Sequence, residues 1–197
     1  MSAAVYLASA SPRRQELLQQ MGLAFVQIES SVDESPIADE TPQSYVQRVA
    51  LLKAREGLKS LAKTDSLPVL GADTSVVLEG QIFGKPRDEA DAKRMLQALS
   101  GRCHQVMTAV AVVTRAKEGV VLRCTDVTFK ALSEEEISNY CQTGEYQGKA
   151  GAYAIQGRAA VFVEHIQGSY SGVVGLPLME TAALLARFGV TVLKPSV

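Results

Sequence analysis

Several short segments carry residue types that can do chemistry. Ser9-Ala10-Ser11-Pro12-Arg13-Arg14 lies where an apolar run gives way to a helix start. The free N–H groups and positive dipole end of such a helix suit an anion. Two arginines in a first helical turn oppose that dipole. A bound polyanion would explain them, and so would carboxylate partners or open solvent. Gly71-Ala72-Asp73-Thr74 places a carboxylate at the end of an apolar run. Ligands gather at such strand ends in α/β folds, and Asp there can hold Mg2+ or activate water. A lone Asp in that position more often caps a turn. Asp33-Glu34 is a carboxylate pair suited to a hard divalent cation, in an acidic stretch of a kind that is usually only solvated.

Lys53 adjoins Leu51, Leu52 and Ala54. It either snorkels from an apolar face, the blander reading, or points into a charged cleft. Gly84-Lys85-Pro86-Arg87 puts a lysine on a rigid turn, where it can reach a phosphate as a point charge. Gly80 to Lys85 is not a P-loop, because only three residues separate the glycines and Pro follows the lysine. The run from Lys149 to Gly157 is rich in glycine, as are Gly168-Ser169-Tyr170 and Gly172 to Pro177, so backbone can approach a ligand closely. Gln156 offers a donor and an acceptor, as reading a base edge requires. Tight turns between strands would look the same. Each segment is modest alone. Cations for phosphates, carboxylates for a metal and an amide for a base together describe a nucleoside triphosphate site without a P-loop.

The elements that must position these residues alternate between strand and helix. Val5 to Ala8, Phe25 to Ile28, Pro68 to Leu78 and Gln81 to Phe83 read as strands, the last two as a hairpin through Glu79-Gly80. Val106 to Thr114 and Val120 to Phe129 read as long strands joined at Ala116 to Gly119, and Val161 to Ile166 as another. Helices open at Ser11-Pro12, with Ser as N-cap, at Thr41-Pro42, at Asp88, at the capping box Ser133-Glu134-Glu135-Glu136, and at Pro177. The Thr41 helix is expected to bury Tyr45, Val49, Leu52, Leu58 and Leu61. The prediction is an α/β domain with a mixed twisted sheet flanked by helices.

Composition bounds the rest. At 197 residues and 47% hydrophobic, the chain is long enough for one substantial core, so a single domain over 1–197 is expected. Lys+Arg number 20 against 21 Asp+Glu, a net charge of -1, which argues against a tail-driven nucleic-acid binder and against disorder. Cys103, Cys124 and Cys141 are odd in number and widely spaced, so neither a disulfide scaffold nor a zinc site is expected, and a reduced cytoplasmic setting is the default. No apolar run approaches the ~18 residues of a membrane span. Ala8-Ser9-Ala10 and Arg13-Arg14 imitate export signals, but no cation precedes the apolar stretch and an amphipathic segment follows.

The chain resembles the Maf family of nucleotide pyrophosphatases. The matching segments are Ala8 to Arg14 with Glu16-Leu17-Leu18, Asp33-Glu34, Lys53-Ala54, Gly71 to Thr74 and Gly84-Lys85-Pro86. Ser100-Gly101 with His104 and Val106, Lys149 to Gly157, and Val174 to Leu178 complete a collinear series across nearly the whole chain. The resemblance implies an elongated, two-lobed α/β fold with a central cleft, related to the inosine triphosphate pyrophosphatases. It implies hydrolysis of nucleoside triphosphates between the α and β phosphates, with Mg2+ or Mn2+ as cofactor. It implies that Asp73 accepts the proton and that Ser9, Arg13, Arg14, Glu34, Lys53 and Lys85 line the cleft; the two carboxylates Glu34 and Asp73 are expected to hold the metal, and Ser9, Arg13, Arg14, Lys53 and Lys85 to bind substrate. Arg13, Thr74 and Gln156 match the specificity positions of the dTTP/UTP subgroup. One departure is Gly148, where many relatives carry Asp. Family members often pair as homodimers.

Uracil and thymine differ by one methyl, worth only ~1–3 kcal/mol in a pocket, so accepting both dTTP and UTP is physically reasonable. The same latitude extends to modified pyrimidine nucleotides. The second reading is a nucleotide-binding regulator of cell division, because the family was first associated with blocked septum formation. A single-stranded nucleic-acid binder ranks last, since 6% aromatics without Trp gives little to stack on. A small-molecule nucleotide, with neither nucleic acid nor membrane, is the expected partner.

Overall fold

A parallel pair, β1 (Val5–Ala8) and β2 (Phe25–Ile28), starts the sheet in a computed structural model that describes residues 3–192. Between them runs α1 (Pro12–Gln20), which ends at Gly22 in the left-handed conformation, φ +70°. After α2 (Pro42–Lys59) comes β3 (Val69–Leu78), a ten-residue strand buried almost throughout. Its apolar residues are covered on both faces, as in a central strand. Glu79 and Gly80, with φ +51° and +79°, turn the chain into β4 (Gln81–Phe83), so the rejected P-loop segment is a tight hairpin. The remaining elements are α3 (Glu89–Leu99), β5 (Cys103–Val113), β6 (Glu118–Phe129), α4 (Glu134–Gln142), β7 (Val163–Gln167), α5 (Tyr170–Val174) and α6 (Leu178–Ala186).

The seven-stranded sheet runs β2-β1-β3-β5-β6-β7, with β4 also paired to β3. β1 is parallel to both of its neighbours, and β3 through β7 are antiparallel. This is the mixed sheet with flanking helices that the sequence predicts. One consequence of register creates the site. β1 pairs with β3 only as far as Ala8↔Gly71, and β4 takes up the same edge only from Val76↔Phe83. Residues 72–75 of β3 therefore border a notch between two partner strands.

The core sits on both faces of the sheet and at one end. One face packs Leu7, Leu70, Ala72, Val110 and Val112 against α1 and α6. The other packs Ala8, Val69, Met107, Ala109 and Ala111 against α2. At the end, Phe129, Tyr153, Phe162 and Tyr140 form an edge-to-face aromatic cluster beneath α3 and α4.

Four local expectations need correction. The buried face of α2 is Val46, Val49, Ala50, Lys53, Ala54 and Gly57, so of the expected stripe Val49 is buried while Tyr45, Leu58 and Leu61 pack half-buried at the edge of that core and Leu52 is half-buried. The helix lies too close to the sheet for leucines. A Cβ on Gly71 would meet the Ala50 carbonyl oxygen at 2.5 Å, and one on Gly57 would meet the Ala8 Cβ at 2.9 Å. Ser11 stands at the N-cap of α1, but its side chain makes no capping bond. Val161 and Phe162 belong to a 3-10 turn, so the strand there begins only at Val163. The β5–β6 turn falls at 114–117, with Thr114 bonded to Lys117, slightly before the expected place. The capping box is present in both halves, with Ser133 and Glu136 exchanging hydrogen bonds.

Candidate active site

A cavity of about 400 Å3 opens over the notch. Its lining brings together Ser9, Arg13, Arg14, Glu34, Lys53, Asp73, Thr74, Lys85 and Gln156, all singled out from the sequence, but not Asp33. They come from six separate segments, and strand alternation explains how the central ones divide. Successive side chains of β3 point to opposite faces. Asp73 shares the α2 face with Ala109, its cross-strand partner, and there it meets Lys53. Thr74 shares the other face with Thr108, and there it meets Arg14.

Lys53 is the centre of the first group. Its Nζ donates to Asp73 Oδ1 at 2.9 Å and lies 2.9 Å from Glu34 Oε1. Both Lys53 and Asp73 are buried. The blander snorkelling reading of Lys53 is thereby replaced, since its ammonium points inward between two carboxylates. Burial pushes the Glu34 carboxyl up, but the Lys53 hydrogen bond and charge, with Lys85 and Arg14, outweigh burial and hold it below its ordinary value. Glu34 reaches this place because its loop is tied to α2. The Tyr45 hydroxyl donates to the Glu34 carbonyl at 2.9 Å, and Arg48 binds both the Ser35 carbonyl and the Glu40 carboxylate. Burial, with the charges of Asp73 and Glu34, pushes Tyr45 up to about 12, so it remains a donor. The neighbouring Asp33 instead accepts from the Ser35 N–H in a turn, so the carboxylate pair is divided between two tasks.

Arg14 organises the second group. Its Nε donates to the Gly175 carbonyl at 3.0 Å, Nη1 to Ser9 Oγ at 3.1 Å and Nη2 to Thr74 Oγ1 at 3.3 Å. Three of the five guanidinium N–H groups are thus held by protein, leaving two for a ligand. Burial holds Arg14 below its ordinary value, while the charges of Asp73 and Glu34 pull it back up. Ser9 Oγ also accepts from the Ser11 N–H at 3.3 Å, so its own hydrogen remains available to donate. Arg13 is more exposed and pairs with Glu16 at 2.9 Å.

Lys85 follows β4, and the Gly84 carbonyl accepts from the Gly151 N–H at 3.1 Å, which joins the lysine turn to the opposite wall. The glycine-rich segment works differently from the expectation. Gly151 and Gly157 make room for protein: a Cβ would meet Val76 at 2.8 Å and the Glu145 carboxylate at 2.3 Å respectively. Glu145 accepts from the Arg158 and Ala159 N–H groups and from the Tyr140 hydroxyl, which secures the chain just beyond Gln156.

Sequence reasoning missed Lys149 as a site residue, although it lines the cavity beside Gly148. A cation opening a glycine-rich segment was the available signal. With Lys149, five cationic side chains and two carboxylates face the cavity, in a chain whose net charge is -1. A divalent cation fits the donor set. Glu34 and Asp73 converge on one point, now held by an ammonium. Among the described residues no three His, Cys, Asp or Glu side chains form a cage. Mg2+ characteristically uses one or two carboxylates and completes its shell with water and substrate phosphate. Among the described residues no helix is long and apolar enough to cross a membrane.

The model of the Maf-like protein family matches residues 4–188. The dTTP/UTP pyrophosphatase of Pseudoalteromonas translucida is 55% identical over 191 residues, covering 95% of this chain and 98% of that protein. That of Nitrosospira multiformis is 50% identical over 200 residues, covering 96% and 97%. Among solved structures, the Staphylococcus aureus Ham1 protein aligns over 64% of this chain and 71% of its own, at a TM-score of 0.46 and 16% identity. That superposition is too loose to bear on the fold.

Proposed function

Since the chain belongs to the Maf-like protein family, we propose that it hydrolyses dTTP and UTP to the monophosphate and pyrophosphate. The observation that carries this reading is the cavity itself, where five cations and two carboxylates from remote segments surround one space. Its volume suits a nucleotide-sized ligand. The residues 1–197 are read as one catalytic domain, because a single sheet takes strands from residue 5 to residue 167 and the cavity draws on residues 8 to 175.

Arg13, Arg14, Lys53 and Lys85 offset phosphate charge, and Lys149 adds to them. Ser9 donates its hydroxyl hydrogen to a phosphate oxygen. Glu34 and Asp73 would hold a Mg2+ or Mn2+ ion, which shields the triphosphate and polarises it. Lys53 orients Asp73 through Oδ1, leaving Oδ2 for the attacking water. Asp73 takes the proton from that water as its oxygen bonds to phosphorus. The anhydride between the α and β phosphates breaks, and its electron pair leaves with pyrophosphate. On the far wall, Gln156 presents an amide to the pyrimidine edge, and Arg13, Thr74 and Gln156 together set base selectivity.

The test is pyrophosphate release from a panel of nucleoside triphosphates, with and without divalent ions. Release from dTTP and UTP in Mg2+ is expected, and none from a chain that only binds nucleotide. Asp73→Asn should keep nucleotide binding and lose most turnover. Near-normal turnover in that variant would refute the role given to Asp73.

A further inference from the structure

We propose that Thr108, which does not line the cavity, is a positioning residue that aims the Arg14 guanidinium through Thr74. The inference rests on the reading of the cavity as a triphosphate site. Thr108 lies on β5 directly opposite Thr74 on β3 and is 1% exposed. Its Oγ1 donates to the Gly172 carbonyl at 2.7 Å, which uses its one hydrogen. The 3.0 Å contact between Thr108 and Thr74 must then run from the Thr74 hydroxyl to the Thr108 oxygen. The Thr74 oxygen in turn accepts from Arg14 Nη2 at 3.3 Å. Donors therefore run head to tail, from Arg14 through Thr74 and Thr108 to Gly172, with no freedom to reverse.

The far end of this relay is anchored independently. Thr125 of β6 accepts from the Ser169 N–H at 3.0 Å, and Ser169 Oγ accepts from the Gly172 N–H at 3.0 Å. A Cβ on Gly168 would meet Thr125 Oγ1 at 2.8 Å, so the segment sits tight against the sheet. The same segment presents the Gly175 carbonyl to Arg14 Nε. The α5 segment thus holds the guanidinium at two points, directly at Nε and through two threonines at Nη2. The single Thr74 hydrogen is spent on Thr108. An effect of Thr74 on selectivity consequently acts through the arginine, not through a hydrogen bond donated to a base.

The test measures dTTP binding by calorimetry in EDTA, where no turnover occurs, and dTTP turnover in Mg2+. Thr108→Val keeps the shape and removes the relay. It should raise Kd and lower kcat/KM about tenfold, and Thr108→Ser should restore both to within about threefold. In an Arg14→Lys background, Thr108→Val should cost less than about twofold, because the residue it positions is gone. Parent-like binding in Thr108→Val, an equal loss in the Arg14→Lys background, or a Ser variant as weak as Val would each overturn the proposal. Should Thr108→Val not fold, Thr108→Cys, with its weak donor and acceptor, carries the same comparison. A parent that binds dTTP without releasing pyrophosphate would overturn the function and leave the relay readable in Kd. A parent that does not bind dTTP overturns both.

Discussion

The Lys53 ammonium lies 2.9 Å from Asp73 Oδ1, with both side chains buried, and the same nitrogen is 2.9 Å from Glu34. The two carboxylates can be no more than twice that distance apart, and a cation is what lets them stay there. Lys53→Met should destabilise the fold by about 3 kcal/mol, the low end for breaking a buried pair because the Glu34 side chain is 39% exposed. Urea unfolding reads this. The variant should also lose most turnover, and the Glu34 carboxyl should rise toward its ordinary value, because the Lys53 hydrogen bond and charge that hold it down are gone.

His104 gives a separate pH dependence to stability. It is 2% exposed, its Nε2 is bonded to the Tyr153 hydroxyl at 2.9 Å, and burial pushes it down to about 4 from 6.5. Unfolded, the imidazole binds a proton below about 6.5, and folded only below about 4. The unfolded state therefore holds more protons in that window, so stability falls as pH drops through it, by roughly 3 kcal/mol in total. His104→Gln keeps a partner for Tyr153 and should flatten the slope between pH 6.5 and 4. Denaturation at several pH values decides it, and an unchanged slope between pH 6.5 and 4 would remove His104 as its source; the Glu34 carboxyl, held below its ordinary value, gives up its contribution only at lower pH.

Much of this was legible in the sequence where the signal was local. β1 and β2 keep their predicted bounds because each is a short apolar run between polar stretches. The Ser133 capping box needs only residues three apart. What failed was nonlocal. The stripe from Tyr45 to Leu61 marks the core face only in part: Val49 is buried and Tyr45, Leu58 and Leu61 sit at its edge, while the closeness of helix and sheet at Gly71 puts Ala50, Ala54 and Gly57 at its centre. The same rotation of the helix turns Lys53 inward. Thr108 reads as an ordinary strand residue, because its role depends on register with Thr74 and on a segment 64 residues away. The notch at 72–75 also arises from where two strands stop pairing, which no periodicity announces.

Gly71→Ala should be far costlier than a methyl suggests. Its Cβ would lie 2.5 Å from the Ala50 carbonyl oxygen and 2.6 Å from the Ala54 nitrogen, both backbone atoms that no rotamer change can move. Moving α2 outward would also draw Lys53 from Asp73. A loss of about 3 kcal/mol, the upper end for overpacking, is expected in urea unfolding, together with reduced turnover. Gly84→Ala is the control, since nothing lies within 4 Å of its Cβ. It should change stability by no more than about 0.5 kcal/mol.

Gln156→Glu should change which base the enzyme accepts. The side chain faces the cavity, and Glu145 secures the chain immediately after it, so the substitution alters hydrogen-bond character more than position. An amide can accept from the N3–H of uracil or thymine and donate to a neighbouring carbonyl. A carboxylate can only accept, and it leaves that carbonyl facing an anion. Turnover of dTTP and UTP should fall about 10- to 100-fold in kcat/KM, the cost of one unpaired polar group. Guanine offers adjacent N–H donors, which suit a carboxylate, so activity on GTP should fall less or rise. A nucleotide panel at pH 7 measures the ratio. An unchanged preference for dTTP over GTP would remove Gln156 from base recognition and place selectivity with Arg13 and the Arg14–Thr74 pair.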